Sequence, residues 1–288
     1  LAFNIGNIGG ASMGLNIVFG IDTTTAAAIS GILGILLFVS PKMGGVLDNT
    51  AKILGTVMLV LIGYVAFSTN PPVAEAATHA LVPTNYPWLA TITLIGGTVG
   101  GYITFSGGHR LIDAGITGRE HLKDVRRAAF MGMSVDAIVR ILLFLAVLGV
   151  VSMGFVLDPK DPAGSAFLLG AGEIGHKLFG IVFFCAALTS VVGAAYTSVS
   201  FLKTLFKVVE RYEKLTIMAF IFVSTCILIF IGKPATLLIV AGSVNGLILP
   251  VTLAVMLLAT RKTNIVGDYK HNPVLFYTGW IVVLVTAY

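Results

Sequence analysis

Apolar residues run along this chain in blocks about as long as a bilayer is thick, and polar residues collect between them. Nine such blocks lie at 1–20, 24–40, 50–68, 88–106, 129–154, 178–202, 214–232, 235–260 and 273–288. Turn residues separate them at Asp22, Ser40-Pro41, Asn70-Pro71-Pro72, Gly107-Gly108, Asp158-Pro159, Lys233-Pro234 and Asn272-Pro273. A helix needs about 20 apolar residues to cross the hydrocarbon core. The pattern therefore predicts an all-α, polytopic membrane helix bundle forming a single transmembrane domain over 1–288.

Composition agrees: 57% of the 288 residues are hydrophobic and 11% charged, with a mean hydropathy of +0.98. A soluble domain carries roughly 25% charged residues. The basic residues also orient the bundle. Thirteen fall in the loops after blocks 2, 4, 6 and 8, among them Lys42, Arg110, Arg119, Lys203, Arg211, Arg261 and Lys270. Only Lys160, Lys177 and Lys233 fall in the alternate loops, and Lys52 and Arg140 lie within blocks. Positive loops stay inside, so residue 1 is expected on the cytoplasmic side of a cell membrane, most simply a bacterial inner membrane. The net charge of +5 is spread over short loops and forms no nucleic-acid-binding face.

One block departs from the rest. In LIGGTVGGYITFSGGHR, from Leu94 to Arg110, Gly96, Gly97, Gly100 and Gly101 come within six positions. Each glycine weakens a helix interior by about 1 kcal/mol relative to alanine. Backbone groups freed in lipid must find partners in the protein or in a water-filled cavity. Discontinuous helices at mid-membrane hold the cargo of secondary transporters, so Gly96–Tyr102 is expected to be the unwound centre of a transport site, with Thr104 beside it. The plainer reading is a helix whose small residues let neighbours pack closely.

Other polar residues in the blocks are candidates for a pathway or gate. Asp136 and Arg140 stand four apart and share a helix face. Asn245 lies mid-block between Gly242 and Gly246, as interhelical glue or as a lining residue. Thr189, Ser190, Tyr196, Thr197 and Ser198 give block 6 a polar surface, read first as contacts to neighbouring helices. Glu173 and His176 lie on an amphipathic outer stretch, Ala163–Gly180, read as a solvated face. His109 and Arg110 follow the glycine run as headgroup contacts or a gate. Enzymatic motifs are lacking: all five histidines sit in loops or at block ends, no carboxylates pair within blocks, and there is no phosphate-binding GxxxxGK[ST]. Cys185 and Cys226 have no CxxC or histidine partner, and no cofactor is implied.

Three stretches, in order and at matching spacing, carry a resemblance: NIGNIGGASMGLNIVFGID (Asn4–Asp22), IGGTVGGYITFSGGH, and LTSVVGAAYTSVSFL (Leu188–Leu202). They resemble the third, sixth and eighth helices of the NRAMP divalent-metal transporters. The resemblance implies a LeuT-like inverted-repeat fold, with helices 3–5 at 1–68, helices 6–10 at 88–260 and helix 11 at 273–288. It also implies that the first two helices lie outside this sequence, in line with a chain that opens at Leu1 inside an apolar block. From the family's pattern, the backbone carbonyl of Gly97 would be a metal ligand. The family's Met-Pro-His-Asn reads here as Gly100, Gly101, Tyr102 and Ile103, and its acidic proton-path pair on the third helix reads as Asn4 and Asn7. Soft-metal and proton-relay side chains are thus replaced, and the cargo stays open between a divalent metal ion, which the family favours, and a small organic solute. Besides cargo and the lipid bilayer, no protein partner is inferred.

Overall fold

The computed structural model describes residues 1–98, 108, 111, 112, 114–118 and 120–287, with the side chains of 41–48, 51 and 234 left undescribed. All regular structure among these residues is helical. The helices are α1 (Ala2–Phe19), α2 (Thr23–Val39), α3 (Pro41–Ser68), α4 (Val73–Leu81), α5 (Trp88–Thr98) and α6 (Leu122–Ser152). They continue with α7 (Pro162–Lys203), α8 (Lys207–Arg211), α9 (Glu213–Ile231), α10 (Pro234–Ala259), α11 (Thr263–Val266) and α12 (Pro273–Ala287). By length and apolarity α6, α7, α9 and α10 can each cross a membrane alone.

The turn residues act as the pattern suggests. Gly20 ends α1 in the left-handed region (φ 68°), where only glycine is unstrained. Asp22 then starts α2 by accepting from the backbone N–H groups of Thr24 and Thr25 at 3.1 and 3.0 Å. Across this turn the two helices bend by 117°.

Three boundaries differ from expectation. Pro41 is the first residue of α3 rather than part of a turn, a position proline favours because its missing N–H would have no helical partner. Residues 73–81, expected as loop, form α4, whose apolar positions Val73, Ala76, Ala77 and Ala80 repeat at helical spacing. The amphipathic stretch and block 6 are not divided near residue 178. They belong to α7, which breaks at Gly172 (φ 66°, ψ −170°).

α1 is the hub, packing on α2, α7, α9 and α10. Its closest approach is to α7, where a Cβ on Gly14 would come within 2.6 Å of the Phe184 nitrogen. One apolar core joins α1, α2, α7 and α9 through Ile8, Ala27, Val191 and Ile221. A second joins α3, α6 and α7 through Ile62, Val65, Val150 and Phe167. A third group, α5, α10 and α12, reaches the hub through α10. Large apolar side chains such as Val60, Phe67, Phe130, Ile174 and Phe230 face outward, as lipid-facing surface requires.

Candidate functional site

The glycine run begins where α5 crosses α10. Gly96 is buried, and a Cβ there would fall on the Gly242 carbonyl and the Gly246 nitrogen. In the other direction a Cβ on Gly242 would meet the Thr93 carbonyl oxygen at 2.9 Å. The two helices thus touch backbone to backbone, as small residues permit at membrane crossings. Polar atoms fasten the contact. Asn245 Nδ2 donates to the Gly96 carbonyl at 2.7 Å, and the hydroxyls of Thr93 and Ser243 lie 2.6 Å apart. Pro250, four residues past Gly246, has no N–H to give the Gly246 carbonyl.

This corrects the expected unwinding at its start. Gly96, Gly97 and Thr98 are helical, because at Gly96 the absent side chain is used for close packing and the carbonyl has an interhelical donor. Gly97 is different: it is exposed, and among the described residues nothing lies within 4 Å of a Cβ built there. Gly100, Gly101, Tyr102, Thr104, His109 and Arg110 lie outside the described residues.

The two asparagines of α1 reach opposite neighbours. Asn4 is 1% exposed, its Nδ2 faces the Ser224 hydroxyl on α9 at 3.4 Å, and its Oδ1 is buried without a partner among the described residues. Asn7 Nδ2 donates to the Ser190 carbonyl of α7 at 3.2 Å. Arg140 Nε donates to Asp136 Oδ2 at 2.7 Å along α6, with both side chains well exposed. The hydroxyls of Thr189, Ser190 and Thr197 donate to carbonyls three or four residues back in α7, not to neighbouring helices. This back-bonding is the habit of Ser and Thr in helices.

A separate basin of about 800 Å³ opens where the α1–α2 turn, the 153–161 loop and the α9–α10 turn meet, lined in part by Asn16, Asp22, Asp158, Lys160, Asp161 and Lys233. Asp22 is held below the ordinary carboxylate range by a side-chain hydrogen bond with Thr25 and by the N–H groups it caps. Burial pushes the Asp161 carboxyl up, against the lowering effect of the Gly164 N–H and of His176. His176 Nε2 lies 3.9 Å from Asp161 Oδ2, so this histidine, expected on a solvated face, has a carboxylate beside it. Among the described residues, no three His, Cys, Asp or Glu side chains gather closely enough to hold a metal ion.

Sequence reasoning singled out Asn245 and its flanking glycines but missed Thr93, Ser243, Ser224 and Asp161. Only Asp161 carried a local signal, as an N-cap before Pro162. The other partners lie some 150 or more positions away, and spacing along the chain does not reveal them.

The chain is similar over its whole length to proteins of known sequence. It is 51% identical over 287 residues to the "Uncharacterized membrane protein" of Haemophilus influenzae, covering all of this chain and 72% of that protein. It is likewise 51% identical over 287 residues to "Uncharacterized membrane protein YcsG" of Bacillus subtilis, covering all of this chain and 71% of that one. The model of the Nramp family, "Natural resistance-associated macrophage protein-like", matches residues 1–288. Nramp proteins are multi-pass membrane transporters of LeuT-like fold rather than enzymes, and this chain belongs to that family.

Proposed function

We propose that this protein is a secondary-active transporter of a divalent metal ion that works by alternating access. Its cargo would bind at the glycine run that begins in α5, with Gly96, Gly97, Gly100, Gly101, Tyr102 and Thr104 around it and the Gly97 carbonyl as a ligand. The reading is carried by the family match over the whole chain. It is supported by the α5–α10 crossing, which holds Gly96 against a proline-containing α10 and leaves its neighbour Gly97 exposed. Freed carbonyls of this kind are what transporters of the broken-helix type use as ion ligands. A hard or partly hydrated ion suits carbonyl and hydroxyl oxygens better than a soft one. Asn4, Asn7 and Asn245 would line or brace the pathway, and Asp136 with Arg140 would act as a structural or gate pair. Residues 1–68 and 88–260 would be parts of two inverted repeats, with residue 1 cytoplasmic.

A second reading, a small organic solute on the same fold, is favoured by one feature. The positions expected to hold a thioether and an imidazole are Gly100 and Tyr102, and those expected to relay protons are amides that bond to neighbours.

The experiment is manganese uptake by liposomes carrying the full-length protein, compared with Gly97→Val and Tyr102→Ala. Among the described residues Gly97 has open space around it, so the valine tests the site more than the fold. Both variants are expected to slow uptake by about tenfold or more, the equivalent of roughly 1.4 kcal/mol. Unchanged uptake contradicts the site. Flux of an organic solute without metal flux selects the second reading.

A further inference from the structure

One side of the outer basin is formed by residues 158–161, which lead into a fold-back within α7. Asp161 caps the first turn, accepting from the Gly164 N–H at 2.9 Å, and His176 lies fifteen residues on. As continuous helix those residues would cover about 22 Å. Their side chains instead approach to 3.9 Å. The chain reverses at Gly172, whose φ of 66° a residue with a side chain rarely adopts. The arms are also joined deeper in the protein, where Phe167 and Phe179 stack with centroids 4.6 Å apart and are 1% and 4% exposed. That stack anchors the inner end of the fold-back. The Asp161–His176 pair closes the outer end, next to the basin that Asp161 itself lines.

We propose that Asp161 and His176 form a pH-sensitive clasp that closes the fold-back at Gly172 and thereby sets how far the outer basin's wall can move. The pair attracts when the imidazole is protonated and the carboxyl is ionised. An imidazole without its proton leaves a partly buried carboxylate with no counter-charge. Falling pH eventually protonates Asp161, whose carboxyl burial already pushes above the ordinary range. The clasp therefore holds only while both charges are present and loosens on the loss of either.

The charged groups around the pair are Asp158 and Lys160 in the preceding loop, Glu173 and Lys177 flanking His176, and Asp22 and Lys233 across the basin. Of these Asp158 acts on Asp161 through its charge, and against ionisation. The neighbouring helices present apolar side chains, such as Leu61 of α3 beside Gly175. The clasp depends on chemistry at the outer end of α7 and not on the cargo assigned above.

The test uses the full-length protein in nanodiscs, with Cys185 and Cys226 replaced by alanine and spin labels at Pro159→Cys and Ile174→Cys, both exposed positions across the clasp. Distances are measured by pulsed electron resonance between about pH 5 and pH 8. The longer-distance population is expected to grow about two- to fivefold toward pH 8, the ratio a partly exposed ion pair supports. Asp161→Asn keeps a capping side chain but removes the charge, and His176→Gln removes the imidazole. Each is expected to hold the longer-distance population at its high level across the range. A distribution that does not change with pH in the unaltered pair overturns the clasp, as does a pH response that persists in both variants.

Discussion

Two helix junctions in this protein use the same chemistry and have opposite characters. At the α5–α10 crossing, an asparagine amide reaches a backbone carbonyl, Asn245 to Gly96, and everything around it is brought to backbone distance by glycine. Where α1 meets α7 and α9, Asn7 also reaches a backbone carbonyl, but Asn4 makes only a long contact to Ser224 and keeps a buried oxygen unpaired. The first junction has no room for a side chain and gives its carbonyl an interhelical donor. The second is loosely satisfied. An amide in a membrane interior is thus no reliable measure of rigidity, because its worth depends on what is stranded when it is removed.

The largest expected effect breaks the first junction. Gly96→Val would drive a branched side chain into the backbone of Gly242 and Gly246. It should destabilise the protein by about 3 kcal/mol or more, read as loss of the folded peak in size-exclusion chromatography and a lower melting temperature. Asn245→Leu comes next. It leaves the Gly96 carbonyl without its donor, for a loss of about 1–2 kcal/mol in a thermal melt. Asn4→Leu sharpens the contrast. Ser224 still donates to the Phe220 carbonyl at 2.7 Å, and the unpaired oxygen is gone. The melt should therefore shift by less than about 0.5 kcal/mol, or rise. A loss equal to that of Asn245→Leu would show the two junctions to be alike.

A further effect lies outside both, at the Asp22 cap. Its carboxyl is held below the ordinary range, so the stabilisation is present above the unfolded value and is lost as pH falls through the folded one. Asp22→Ala should melt below the unaltered protein at neutral pH, and the two should converge in strong acid. A gap that widens in acid reverses the sign of the argument.

How much of this was legible in the sequence follows from the range of each interaction. The turn at Asp22 was readable because a turn-forming aspartate acts within a few residues. The helical blocks were readable because lipid imposes apolarity over whole spans. The helix at 73–81 was hidden behind Asn70-Pro71-Pro72, where turn residues drew attention from the apolar spacing just beyond them. The fold-back at Gly172 was hidden because one glycine among apolar residues does not announce its φ. Within the site, Gly96 and Asn245 were both noticed, yet their bond spans 149 positions. Gly96 consequently passed for a breaker of its helix when it is a packing surface.

The central claim is that cargo binds at the glycine run beside this crossing. Its most direct test is an anomalous-scattering map at the manganese absorption edge, from crystals of the full-length protein grown with manganese. The account predicts a peak within coordination distance of the Gly97 carbonyl oxygen, on the side of α5 away from Asn245. A manganese peak confined to the outer basin, or none in a protein that transports the ion, would contradict it.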